Sequence, residues 1–205
     1  MSLESFIHVY NEPLMGNTTV FLLLHGTGGD EHDLIQLAKM IDPQAGILSL
    51  RGNINENGMN RFFERKAMGI LDEVSLKKET DKLFEFLNAA AAHYGFKTKQ
   101  LVVLGYSNGA NIASSLLFHY NDVLYQGMLL HPMVPTRNTE LPDLSNQRLF
   151  IGAGENDPLC LPEETKELEQ IFIEAGASIT TYWGKDGHNL SKSEIDAAAI
   201  WYENL

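Results

Sequence analysis

The chain has 205 residues, 44% of them hydrophobic and 20% charged, which suits one globular domain (1–205) with a sizeable core. A formal net charge of −12 argues against a nucleic-acid partner and against binding to an anionic membrane. The single cysteine, Cys160, excludes an internal disulfide. The N-terminus lacks the pattern of a signal peptide, and no apolar run approaches the roughly 20 residues needed to span a bilayer. A cytoplasmic protein is therefore expected.

In chain order, apolar runs at 19–24, 46–50, 101–104, 125–130, 149–153 and 178–183 read as strands. Helical patterns occupy 31–41, 73–94, 108–120, 162–175 and 192–203. This alternation predicts an α/β fold, a mostly parallel central sheet with helices on both faces and little or no lid. After the first strong strand comes His25-Gly26-Thr27-Gly28-Gly29-Asp30. Asp30, with Asp33 three residues on, is expected to cap the next helix. His25 is expected to fix its loop by hydrogen bonding. Segment 51–65 is irregular and polar with embedded aromatics, a length at which loops tend to carry function. Phe62 and Phe63 within it are candidates to line a substrate pocket, although aromatics in a long loop more often anchor it to the core. The acidic and basic residues of 73–82 read as a solvated helix face.

Directly behind the run 101–104 stands Gly105-Tyr106-Ser107-Asn108-Gly109. A Gly-x-Ser-x-Gly between a strand and a helix has the context of a nucleophile elbow. The glycines let helix and strand approach closely, so the hydroxyl projects over the sheet edge. The bland reading, a serine that only caps the helix, needs no glycine at either position. If Ser107 is the nucleophile, the backbone N–H of Asn108 is the first oxyanion donor. His131, ending the run 125–130, either lines the site or is a satisfied polar residue. Past the run 149–153 lie Glu155 and Asp157, and past 178–183 lie Asp186 and His188. Ser107, Asp157 and His188 follow the chain order of a hydrolase triad, with Glu155 and Asp186 as competing carboxylates. Ser191 and Glu194 form a Ser-x-x-Glu capping box for the last helix, and Gly95 and Gly176 occupy helix C-terminal cap positions. Glu31-His32-Asp33 does not converge on one side of a helix. With no His-Glu-x-x-His and no cysteine pair, no metal is expected.

These segments together resemble the phospholipase/carboxylesterase family of α/β-hydrolases, the group related to acyl-protein thioesterases and dienelactone hydrolases. The resemblance rests on Leu24 to Asp30, on Gly105 to Gly109, on Asp157-Pro158 and on Gly187-His188. Segment 51–63 is also similar to bacterial members of that group. Dienelactone hydrolases carry a cysteine nucleophile where this chain has Ser107. The resemblance implies an α/β-hydrolase fold, Ser107, His188 and Asp157 as nucleophile, base and orienting acid, and Thr27 N–H as the second oxyanion donor. It further implies a small-molecule ester substrate, no cofactor and acyl-enzyme chemistry open to esters, thioesters, lysophospholipids or lactones. A non-catalytic ligand-binding protein on the same scaffold would predict loss of one triad position. The sequence leaves a homodimer open but marks no interface for it.

Overall fold

The computed structural model describes residues 3–137 and 139–205. Its main sheet has seven strands in the order β1 (His8–Asn11), β3 (Gly46–Leu50), β2 (Val20–Leu24), β8 (Leu101–Tyr106), β9 (Gln126–Leu130), β10 (Arg148–Gly154) and β11 (Ser178–Gly184). All neighbours pair in parallel except β1, which runs antiparallel to β3 at one edge. Helices α2 (Glu73–Tyr94), α3 (Asn108–His119) and α4 (Pro162–Glu174) cover one face. Helices α1 (Ile35–Ile41) and α5 (Lys192–Glu203) cover the other.

The two-residue period of the strands produces this double burial. In β2, Val20, Leu22 and Leu24 face one core, while Phe21 and Leu23 face the other. In β8, Leu101 and Val103 join the first core, and Val102 and Leu104 the second. From β2 the chain steps outward to β3 and later returns to lay β8 on the opposite side of β2. The order therefore reverses between β2 and β8, where parallel sheets open a crevice at the strand carboxyl ends.

Three expectations are revised. The first helix begins at Ile35, because residues 31–34 form turns, and its N-cap Leu34 makes no side-chain cap bond. Asp30 instead accepts from the His32 N–H at 2.8 Å, and Glu31 makes a twin hydrogen bond to Arg51 at 2.5 and 2.8 Å. On α2, Glu79 is buried against Lys82 at 2.5 Å, so that face is not wholly solvated. In the last helix only half of the capping box forms: Ser191 Oγ accepts from the Glu194 N–H at 3.2 Å, but the Glu194 carboxylate turns inward. The glycine stops hold, with Gly95 at φ 78° and Gly176 at φ 99°.

Among the glycines, the tightest approach lies at the switch point. A Cβ on Gly109 would overlap the Leu24 carbonyl, and one on Gly105 would lie 2.8 Å from Gly109 O. Gly109→Ala must therefore push α3 away from β2. It is expected to lower stability by about 2–4 kcal/mol in urea unfolding, the scale of a severe steric misfit in a packed interior.

Candidate active site

Four adjacent strands, β8 to β11, each lead at their carboxyl ends into a polar residue: Ser107, His131, Asp157 and His188 in turn. Ser107 sits at φ 50° and ψ −111°, a conformation an L-residue holds only under constraint. Its N–H donates to Leu130 O at 2.8 Å, and Asn111 N–H donates back to Ser107 O at 2.9 Å. The side chain makes no cap bond to α3. Its Oγ lies 2.8 Å from His188 Nε2, and His188 Nδ1 lies 2.7 Å from Asp157 Oδ2. With Nδ1–H donating to the carboxylate, Nε2 is left to accept the serine proton. Tyr106 Oη donates to His188 O at 2.7 Å and pins the histidine loop.

Asp157 is buried, and Glu155 and Asp186, the competing carboxylates, are exposed. Asp157 Oδ1 accepts the N–H groups of Leu159 at 2.8 Å and Cys160 at 3.0 Å. Burial works to raise its pKa, but those two N–H groups, His188 and His131 together outweigh burial and hold it below the usual value. Cys160 lines the same cleft, where burial pushes its thiol pKa up and Sγ donates to His131 O at 3.1 Å. It is a neutral thiol and no second nucleophile.

Thr27 and Asn108 border the cleft beside Ser107, which encloses about 90 Å³. The loop carrying Thr27 is held from several sides. Gly28 N–H donates to Asn60 O at 2.9 Å, and Asn60 Nδ2 donates to Gly29 O at 2.9 Å. Arg61 Nη1 donates to Thr27 Oγ1 at 2.7 Å. His25 Nδ1 donates to Gly26 O at 2.6 Å while its Nε2 accepts from Gly52 N–H at 3.0 Å. Burial lowers the pKa of His25, with weaker opposing contributions from that carbonyl and nearby acids, so it serves as a neutral strut.

The clamp comes from segment 51–65, whose sequence carries no regular periodicity. It contains a hairpin, β4 (Ile54–Glu56) with β5 (Met59–Arg61), and a second follows, β6 (Arg65–Ala67) with β7 (Ile70–Leu71). Phe62 and Phe63 do not line the cleft. Both are fully buried in the core, because Phe62 N–H is tied to Asn108 Oδ1 at 2.7 Å, Phe62 packs on His25, and the backbone turns both rings inward. His131 does not border the cleft either; it is 2% exposed and stands behind Asp157, its Nδ1 2.8 Å from Oδ2. Residues that do border the cleft include Arg61, Arg65, Met68, Ile70, Met133 and Leu159. A larger, open hollow of about 880 Å³ beside α5, lined by Phe150, Tyr182 and Trp201, contains none of the site residues.

His131, Asp157 and His188 converge closely enough to suggest metal ligands, all within 4.8 Å. The donor set argues otherwise. Asp157 Oδ2 is already shared by two imidazole nitrogens at hydrogen-bond distance, and Oδ1 by two N–H groups. A cation there would have to displace protons that the network already uses.

The fold and this strand edge define a hydrolase of the α/β-hydrolase class. Residues 51–203 match the dienelactone hydrolase family, and the chain belongs to it. A Bacillus subtilis (strain 168) protein named "Putative hydrolase MhqD" is 49% identical over 196 residues, covering 96% of this chain and 97% of that protein. The crystal structure of the Bacillus cereus carboxylesterase is similar at 47% identity and a TM-score of 0.95, covering 97% of this chain and 94% of that one. The carboxylesterase from Mesorhizobium loti aligns at 29% identity and a TM-score of 0.90, over 98% and 96% of the two chains. YahD, solved with malic acid, aligns at 30% identity and a TM-score of 0.92, over 97% and 98%.

Two outcomes follow from the network. Asn108→Ala orphans the buried Phe62 N–H and is expected to cost about 1–3 kcal/mol in urea unfolding. The second concerns His131, whose pKa is raised: burial opposes its charge, and the carboxylates of Glu194 and Asp157 outweigh burial. A raised folded value means its contribution is complete below the ordinary 6.5 and is lost as pH climbs through the folded value. The stability gap between wild type and His131→Asn should thus be widest below about pH 6.5 and narrow as pH rises above it.

Proposed function

We propose that this hydrolase is a serine carboxylesterase working through a covalent acyl-enzyme. The observation that carries the reading is the unbroken path from Ser107 Oγ through His188 to Asp157, with links of 2.8 and 2.7 Å, at the mouth of a cleft. His188 Nε2 takes the Ser107 proton as Oγ bonds to the ester carbonyl carbon. The negative oxygen of the tetrahedral intermediate is received by the N–H groups of Thr27 and Asn108, a pair whose members are each worth about 10²–10³ in rate. His188 then hands its proton to the departing alcohol oxygen as the carbon–oxygen bond breaks. Water repeats the sequence, releasing the carboxylic acid and restoring Ser107. Asp157 holds the imidazole in the useful tautomer and balances its transient positive charge.

The carboxylesterases from Bacillus cereus and Mesorhizobium loti support ester cleavage as the reaction. The small enclosed volume supports compact acyl groups. Thioesters, lysophospholipids and lactones present the same carbonyl to the same atoms, so a substrate panel must rank them.

The test is fluorophosphonate labelling with hydrolysis of a panel of esters, thioesters and lactones. Wild type should label and turn over esters best. Ser107→Ala should lose labelling and drop kcat by a factor on the order of 10⁴–10⁶. Labelling retained by the alanine variant removes Ser107 from the role, and a folded wild type inert to every acyl substrate favours a binding protein.

A further inference from the structure

The triad does not account for everything buried behind it. His131 and Glu194 are 2% and 3% exposed and line no part of the cleft. His131 Nδ1 reaches Asp157 Oδ2, the same oxygen that His188 Nδ1 uses, and His131 Nε2 lies 3.4 Å from Glu194 Oε2. Both residues are placed at some expense. His131 holds φ 53°, an uncommon conformation for a side-chain-bearing residue. Glu194 abandons the capping box of α5 and drives its carboxylate under β10, with Oε1 left without a hydrogen-bond partner. Room for it exists only because residue 152 is glycine: a Cβ there would overlap Oε1.

We infer that His131 and Glu194 are a positioning pair for the triad acid, in which His131 is carried as an imidazolium between two carboxylates and keeps a fixed positive charge beside His188. This deepens the esterase reading and rests on it only for its kinetic consequence. The proton count leads there. Asp157 accepts donors on both oxygens and has none to give. Nδ1 of His131 must therefore donate to it, and Nε2 then shares one further proton with Glu194. The carboxylates of Asp157 and Glu194 flank the two ring nitrogens and raise the imidazole pKa against the opposing effect of burial, so the proton rests on nitrogen.

The groups facing His131 are Asp157 from the loop after β10, Glu194 from α5, His188 from the loop after β11, Tyr106 from β8 and the Cys160 thiol on its carbonyl. Its ring lies 5.1 Å from that of His188, centroid to centroid. A cation at that distance opposes a second one and competes for Asp157 Oδ2.

The first measurement is nitrogen-15 NMR of histidine-labelled Ser107→Ala protein, which does not depend on turnover. Both ring nitrogens of His131 should be protonated at pH 7, above the ordinary imidazole value, and Glu194→Gln should leave one unprotonated at that pH. An unprotonated ring nitrogen on His131 at pH 7 with Glu194 intact overturns the inference. The second measurement is kcat and KM on an ester substrate. Glu194→Gln and His131→Asn, the latter tolerant of positive φ, should each lower kcat by about tenfold with little change in KM, because Asp157 loses the partner that fixes its carboxylate. An unchanged kcat in both folded variants overturns it too. Loss of the Ser107 assignment would instead show in the labelling experiment and leave the NMR result standing.

Discussion

Asp157 is a buried carboxylate that receives four donors: two backbone N–H groups on Oδ1 and two imidazoles on Oδ2. An anion taken out of water is tolerated only when its lone pairs are matched this fully. Those donors come from three loops, so the carboxylate can be satisfied only if β9, β10 and β11 end side by side. The parallel register provides that: Leu130 pairs with Gly152, and Gly154 with Gly184. Mispairing by one residue would reverse the side-chain faces and leave the charge unmatched.

The same edge explains how a strained serine persists. Ser107 is fixed by its N–H bond to Leu130 O, by the first turn of α3 and by the contact of Gly109 with the end of β2. Backbone strain of this kind costs about 1–3 kcal/mol. Strands buried on both faces can absorb that amount, because any relief of the turn would open the packing between β2 and α3. In the proposed mechanism this rigidity keeps Oγ and the two oxyanion donors in place before substrate arrives, so little reorganisation accompanies the reaction.

Much of this was legible in the sequence because it is written locally. Six apolar runs marked six of the seven main-sheet strands, and Gly-Tyr-Ser-Asn-Gly marked the turn that ends the central one. The positions of Asp157 and His188 followed from strand ends. Strand β1 was missed because its four residues, His8-Val9-Tyr10-Asn11, lie half-buried at an edge and carry only weak alternation. Glu194 was misread for another reason. A Ser-x-x-Glu at a helix start has a sufficient local explanation, and only the third dimension reveals that Gly152, far away in the chain, leaves a space for its carboxylate. Aromatics in a polar loop can line a pocket or anchor the loop to the core, and sequence leaves both open for Phe62 and Phe63; the bond donated by Phe62 N–H to Asn108 Oδ1 turns the loop inward and makes them anchors.

Segment 51–71 shows where local reading stops. Its strands are two or three residues long, too short for any periodicity to emerge. What organises them is contact with the loop after β2: Asn60 on Gly28 and Gly29, Arg61 on Thr27, and Gly52 on His25. Arg61 is itself buried and depends on the Phe63 carbonyl and the Thr27 hydroxyl for its hydrogen bonds. Loop and hairpin are therefore mutually required, each supplying the polar partners that the other would lack if buried alone. The same residues also form one wall of the cleft, since Arg61 and Arg65 border it. A change in this segment that altered the wall would disturb the loop bearing Thr27 as well, so in the proposed mechanism substrate fit and oxyanion geometry are coupled through one stretch of chain.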